Sequence, residues 1–261
     1  MFIASPFTVT EVFLMARRNT TILVTLVALV FVIGAAGYAA FVLIGGSGEA
    51  SETLTAPTLD RTPEVVATQA GATGTEEASQ SVLFEIQPAE SSVEFEIYEE
   101  LRGVPVDVIG RTSEVGGQAF IDFNNPSASE LGTIRINMRT LRTDSPDRDR
   151  AIRGIILQTA QPQNEFSDFV PTSVSGFPET VTIGQSFEIE VTGDFTLIGN
   201  TRPVTFNVTV TPVSETEVTA VGIGTVTYAD YGITIPDLAF LANVGDTVEL
   251  RLNLVLRPVA S

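Results

Sequence analysis

The stretch Val191-Thr-Gly-Asp-Phe-Thr-Leu-Ile-Gly-Asn-Thr-Arg-Pro-Val-Thr-Phe206, continuing to Val210, decides the fold. With a period of two, Val191, Gly193, Phe195 and Leu197 share one face, while Thr192, Asp194 and Thr196 share the other. That alternation is the mark of a strand with one buried face. Gly199-Asn200 tolerates positive φ, so the chain is expected to reverse there. Pro203 opens the next run, where a missing N–H does least harm. Val204, Phe206, Val208 and Val210 then alternate with Thr205, Asn207 and Thr209. The stretch reads as a β-hairpin with one wet and one apolar face.

The same pattern fills the chain on both sides. Val93, Phe95 and Ile97 alternate with Glu94 and Glu96; Ala119, Ile121 and Phe123 form a second strand, ended by Asn124-Asn125-Pro126. Ile134, Ile136 and Met138 alternate with Arg135, Asn137 and Arg139, and Phe187 and Ile189 lead into the hairpin. Val226 and Tyr228 mark a later strand, and Val248, Leu250, Leu252, Leu254 and Leu256 the last. Many short strands separated by turn residues predict an all-β barrel or sandwich. One segment differs. Between Asp147 and Gln161 the spacing turns helical, with Ile152, Ile155, Ile156 and Leu157 on one face. Asp144 or Ser145 supplies a cap and Pro146 suits the first turn. A single helix in such a domain is expected to cover one end, with Arg148, Arg150 and Arg153 forming either a solvated surface or a rim that receives an anion.

Composition removes several function classes. The chain has 261 residues, 14 basic and 32 acidic, for a net charge of −18. All the basic residues are arginine. A nucleic-acid groove needs clustered positive charge, so that class is set aside. There is no cysteine and no histidine. Disulfides, zinc sites built on Cys or His, thiol nucleophiles and His-based triads are therefore excluded within the chain. No carboxylate spacing singles out an acid–base pair; Asp194 and Asp230 are placed more simply on wet faces or in turns. No catalytic residue and no metal ligand is assigned, and the chain is read as non-enzymatic.

The N-terminal part is organised differently. Residues 1–18 end in Arg17-Arg18, and Asn19 to Gly48 carries no charge. The apolar run within 19–45 is long enough to span a bilayer, since about 20 apolar residues suffice. Arginines before it and carboxylates after it put the N-terminus in the cytoplasm and the rest outside, at the cell surface or in the periplasm. Two readings stand: a retained transmembrane anchor, or a signal cleaved near Gly37-Tyr38-Ala39, which would release a secreted domain. Residues 46–80 are rich in Gly, Ser, Thr, Ala, Pro and Glu and read as a flexible linker. The folded domain is expected over residues 81–261.

Five motifs in order carry a family resemblance. Ser91-Ser-Val93-Glu-Phe95-Glu-Ile97, followed by Gly117-Gln-Ala-Phe-Ile-Asp-Phe-Asn-Asn-Pro126, resembles the opening of a YceI-like domain. Thr140-Leu-Arg-Thr-Asp144 with Arg148-Asp149 and Arg153 is similar to that family's signature before its short helix. Val191 to Val204 resembles its hairpin, and Tyr228-Ala-Asp-Tyr-Gly-Ile233 and Val244-Gly-Asp-Thr-Val248 complete the series. The resemblance spans residues 81–261. It implies an extended eight-stranded antiparallel lipocalin-like barrel, exported and non-catalytic, whose apolar tunnel holds a polyisoprenoid chain for carriage or storage. The chain departs from the pattern where the family often has His: Ser91 or Ser92, and Ala151 or Ile152, stand there instead. Ile155-Ile-Leu157 stands where the family often has Asp-Phe-Leu. Both changes bear on the head group rather than the barrel.

On this reading Val93, Phe95, Ile97, Ile121, Ile134, Ile136, Phe195, Leu197, Phe206 and Tyr228 line the tunnel, and Arg148, Arg150 and Arg153 face an anionic head group. The partners are the membrane, through the N-terminal helix, and a long-chain isoprenoid; no cofactor is expected, the bound group being an isoprenoid lipid or quinone ligand. A ten-residue strand is about 33 Å long, and tilted by roughly 40° it encloses a tunnel near 25 Å deep. The competing class is an adhesion or scaffold module on a membrane stalk, in which the same apolar faces form a packed core.

Overall fold

The computed structural model describes residues 46, 48–51, 54–59, 81–101, 103–235 and 241–259. Apart from Gly46 these belong to one compact unit, Ser47–Ser261. The expected membrane helix lies outside the described residues; among those described, no helix is long and apolar enough to cross a membrane.

Among the described residues, thirteen strands form one antiparallel sheet. They are β1 (Val82–Ile86), β2 (Ser92–Leu101), β3 (Val104–Thr112), β4 (Val115–Gly116), β5 (Gln118–Ile121), β6 (Glu130–Leu131) and β7 (Ile134–Asn137). After the helical segment come β8 (Phe166–Ser175), β9 (Phe187–Leu197), β10 (Asn200–Ser214), β11 (Glu217–Thr227), β12 (Leu241–Ala242) and β13 (Thr247–Pro258). The expected count of eight is therefore corrected. The extra ends arise where single passes of the chain are interrupted. A turn from Pro88 to Glu90 parts β1 from β2, Ser113-Glu114 and Gly117 divide β3, β4 and β5, and Gly132-Thr133 parts β6 from β7.

The hydrogen-bonded path runs β4-β7-β8-β9-β10-β11-β13-β1-β5-β6, with β2 joined to β13 and β3 to β2. Because β3, β4 and β5 are nearly continuous in sequence, both ends of the path return to one piece of chain, and the sheet curls on itself. The pairings differ in length. β9 and β10 pair through eleven residue pairs, whereas β4 and β7 pair through only Val115↔Ile136 and Gly116↔Arg135. The β4–β7 contact is the short seam.

The hairpin read from the sequence forms, with a shift. Its loop is Ile198-Gly199, not Gly199-Asn200, and Asn200 already pairs with Leu197. Both loop residues have positive φ, 44° and 73°, as a type I′ turn requires. Ile198 is costly there for a β-branched residue, but its side chain packs on the core. Pro203 lies where β10 pairs with β9 alone, before the β11 pairing starts at Asn207.

Two other expectations change. Tyr228 does not extend a strand: Tyr228–Tyr231 is a 3-10 turn ended by Gly232 at φ 72°. The helix is also shorter. Helix α1 spans Pro146–Ala151, capped by Ser145 with Pro146 in its first turn, and Ile152–Ile156 continues it as a π-type turn. The Leu157 N–H donates to the Ile152 carbonyl, so the extra residue turns Ile155 outward to 45% exposure while Leu157 is buried. Asp149 fastens the segment, its Oδ1 accepting from the Thr143 N–H at 2.6 Å and the Thr143 hydroxyl at 2.7 Å.

Candidate functional site: an apolar end pocket

Along β9 and β10 the inward-facing side chains change from tightly buried to half-open. In β10, Val204 and Phe206 are buried, whereas Val208 and Val210 are only partly so, although all four face inward. In β9, Val191 and Phe195 are buried while Phe187 and Ile189 are not. The half-open residues surround a pocket with a cavity volume of about 140 Å³. Its walls include Ile86, Ala119, Ile121, Ile134, Val174, Ile189, Val208, Val210, Val218, Ala220 and Leu254. Its outer lining comes from the loops after β5 and β8, with Phe123, Pro126, Phe177 and Val181. The few polar members include Gln118, Asp122, Ser129 and Glu130. Asp122 is buried, and its Oδ1 accepts from the N–H groups of Asn124 and Asn125 at 2.9 Å each, which fixes the turn at the rim.

A second, smaller cavity of about 50 Å³ lies deeper, among Val93, Phe95, Thr112, Ile136, Met138, Leu141, Phe195 and Leu250. Phe169, Phe206 and Leu252 line both cavities. Phe169 and Phe206 meet edge to face, with ring centroids 5.1 Å apart at 83°, and form a partition. The wall is shaped to seat them. A Cβ at Gly193 would lie 2.6 Å from the Phe169 ring, and one at Gly224 would lie 2.8 Å from the Phe206 ring. The glycines provide the recess that lets two large rings lie across the barrel.

The expected tunnel residues are therefore divided. Ile121, Ile134 and Phe206 line the end pocket; Val93, Phe95, Ile136, Phe195 and Phe206 line the inner cavity. Ile97, Leu197 and Tyr228 line neither cavity, and Leu197 and Tyr228 pack against the core. Between these two cavities among the described residues, the aromatic pair crosses the interior. Pocket residues that the alternation had not singled out include Val174, Phe177 and Val181, the last two in a loop where no period exists to read.

α1 lies in the connection between Asn137 and Phe166, the strand ends opposite the pocket's loops. The arginines of this segment are engaged. Arg148 pairs with Glu99 at 3.1 Å and with Asp144, Arg150 with Asp147, and Arg153 donates to the Arg139 carbonyl at 2.8 Å. None of the three lines either cavity. At the first position where the resemblance lacks His, Ser91 is buried and its hydroxyl accepts from the Val255 N–H at 3.0 Å. At the far end of β11 from Ser91, Tyr231 is buried against Phe195, and burial pushes its phenol pKa up to about 12. Among the described residues no cluster of acidic side chains is arranged to hold a metal.

A curled antiparallel sheet with an apolar pocket at one end defines a β-barrel binding module. The sequence matches the model of the YceI-like domain over residues 84–256, and the chain belongs to that family. Among the solved structures that share the fold are two with similar coverage. One is a polyisoprenoid binding domain from Saccharophagus degradans implicated in plant cell wall breakdown, with 15% identity over 68% of this chain and 99% of that one, at a TM-score of 0.54. The other is BcnA of Burkholderia cenocepacia, with 18% identity over 65% of this chain and 98% of that one, at a TM-score of 0.51. No curated protein matches the chain.

Proposed function

We propose that the barrel is a non-catalytic carrier or store that holds the apolar chain of an isoprenoid lipid, such as a polyprenyl lipid or a quinone, in its end pocket. The observation that carries this reading is the pocket wall, apolar over nearly its whole surface, with Val208 and Val210 of β10 only partly buried although they face inward. Such a wall gains free energy when a chain displaces water, at about 0.8 kcal/mol per buried methylene. Membership of the YceI-like family supports the ligand class.

The volume bounds the mode of binding. A cavity of about 150 Å³ holds one benzene, so a pocket of about 140 Å³ takes on the order of one isoprene unit as it stands. A longer chain either lies out through the mouth or moves Phe169 and Phe206 to reach the inner cavity. With the three arginines held by carboxylates and carbonyls, the ligand is gripped by its apolar part, and a neutral head group suits the site as well as a charged one. The small volume is also what favours the alternative, a packed adhesion or scaffold module.

Val208→Glu separates the two readings. The side chain faces the pocket and retains access to water, so the barrel should stay folded by circular dichroism while binding of a fluorescent prenyl probe is lost. Wild-type protein that binds no probe, with a variant that unfolds, supports the packed module. The location belongs to the same proposal: the domain is extracytoplasmic, held by an anchor within residues 19–45 or secreted after cleavage. Protease added to intact cells should then remove the domain; protection until lysis would contradict it.

A further inference from the structure

Residues 48–51 and 54–59 fall in the stretch whose composition reads as linker, yet they lie along the outside of the barrel. Four barrel side chains hold their backbone. Arg139 Nη1 donates to the Glu49 carbonyl at 2.8 Å, and the Ser51 N–H donates to Glu165 Oε1 at 2.8 Å. Arg135 Nη1 reaches the Thr55 carbonyl at 3.4 Å, and the Leu59 N–H donates to Gln118 Oε1 at 3.0 Å. The apolar contacts fall between these bonds. Gly116 faces outward yet is buried, because Leu54 and Ala56 cover it: a Cβ there would lie 3.2 Å from each. A Cβ at Gly132 would lie 3.4 Å from Leu59.

The groove is built for this occupant. Its latch is an Arg139–Glu165 ion pair at 2.7 Å with side chains only 11% and 8% exposed. Arg139 Nε also donates to the Thr159 carbonyl at 2.7 Å, so the guanidinium is fixed before the segment arrives. The second holder, Arg135, is clamped by both oxygens of Asp168 at 2.8 and 2.7 Å and lies 5.2 Å above the Phe166 ring. Gly116, Gly132 and Gln118 belong to β4, the β6–β7 break and β5, so the segment crosses the short β4–β7 seam from outside.

We propose that residues 48–51 and 54–59 form a strap, an integral part of the fold, bound in a groove that recognises an extended segment with apolar residues at positions 54, 56 and 59. The strap holds the barrel to its own N-terminal segment without needing the covalent link through residues 60–80. The proposal does not depend on what the pocket binds.

The test uses the full-length chain in detergent with a specific protease site placed within residues 66–72. After cleavage the N-terminal piece and the barrel should co-elute in size exclusion. Cleaved protein carrying Ser51→Pro and Leu54→Asp should separate into two peaks, since the first change removes the N–H that Glu165 accepts and the second puts charge against Gly116. Both substitutions lie on the strap, so the barrel folds as in the unaltered protein, and circular dichroism of the separated barrel checks this. Separation of the unaltered protein on cleavage would overturn the proposal, as would co-elution of the doubly substituted one.

Discussion

Phe169 and Phe206 set how far a ligand can reach. Their rings cross the barrel between the end pocket and the inner cavity, seated on Gly193 and Gly224. Phe169→Ala should join the two cavities. Removing a core Phe costs about 3–5 kcal/mol, so thermal stability should fall, while affinity for long prenyl probes should rise relative to short ones in fluorescence titrations. An unchanged chain-length preference would show that the ligand never passes the partition. Glu165 governs the strap end. Burial pushes its carboxyl up, but the Ser51 N–H and Arg139 outweigh that and leave it below its ordinary 4.5. A depressed pKa contributes stability that is present above the unfolded value and lost as pH falls through the folded one. Stability of the unaltered protein should therefore drop more steeply below about pH 4.5 than that of Glu165→Gln, measured by thermal melts across pH. At neutral pH the same substitution should cost on the order of 3 kcal/mol, as expected when a buried ion pair loses one partner.

At the scale of elements, the helical segment acts as a fastening, with its arginines paired at the end away from the pocket. Arg148→Ala and Arg153→Ala should leave prenyl-probe affinity unchanged, whereas Asp149→Ala should cost about 2 kcal/mol by freeing the Thr143 N–H and hydroxyl. Weakened binding of a charged prenyl ligand in the arginine variants would restore the rim as a head-group site. How legible each element was depended on whether its residues announced a period. β9, β10 and β13 alternate cleanly and were readable from their side chains alone. β8 was not, because Pro171 sits inside it; the strand accommodates it where the register shifts between Pro171 and Ser173. β11 was read only at its end, through Val226; the rest was hidden by Ala220, Gly222 and Gly224, the two glycines leaving room for the Phe206 ring. The π-type turn after α1 moved the apolar face by one residue, which no helical period foresees. Part of the pocket wall was legible through parity, as at Ile121, Ile134 and Phe206, but the partition was not, since parity tells which way a side chain points and not what it meets across the barrel.

Over the whole molecule, the strap changes where the domain begins. The family match starts at residue 84, yet contacts to Arg139, Arg135, Glu165 and Gln118 extend the folded unit back to residue 48. Composition could not reveal this: Leu54, Ala56 and Leu59 are too few to read as core, and their partners are outward-facing glycines and polar side chains. A protein of residues 81–261 should still fold, because the barrel core lies within it, but should melt about 5 °C below one of residues 47–261, as loss of roughly 2 kcal/mol implies for this size. Equal melting temperatures would mean that the strap rests on the barrel without holding it.

The central claim, that the end pocket holds an isoprenoid chain, is tested most directly by mass spectrometry of lipid extracted from the folded protein purified from the cells that make it. The account predicts an isoprenoid lipid or quinone in near-stoichiometric amount, absent from Val208→Glu purified in parallel. A wild-type protein that carries no such lipid, and binds none when offered a prenyl probe, would contradict it.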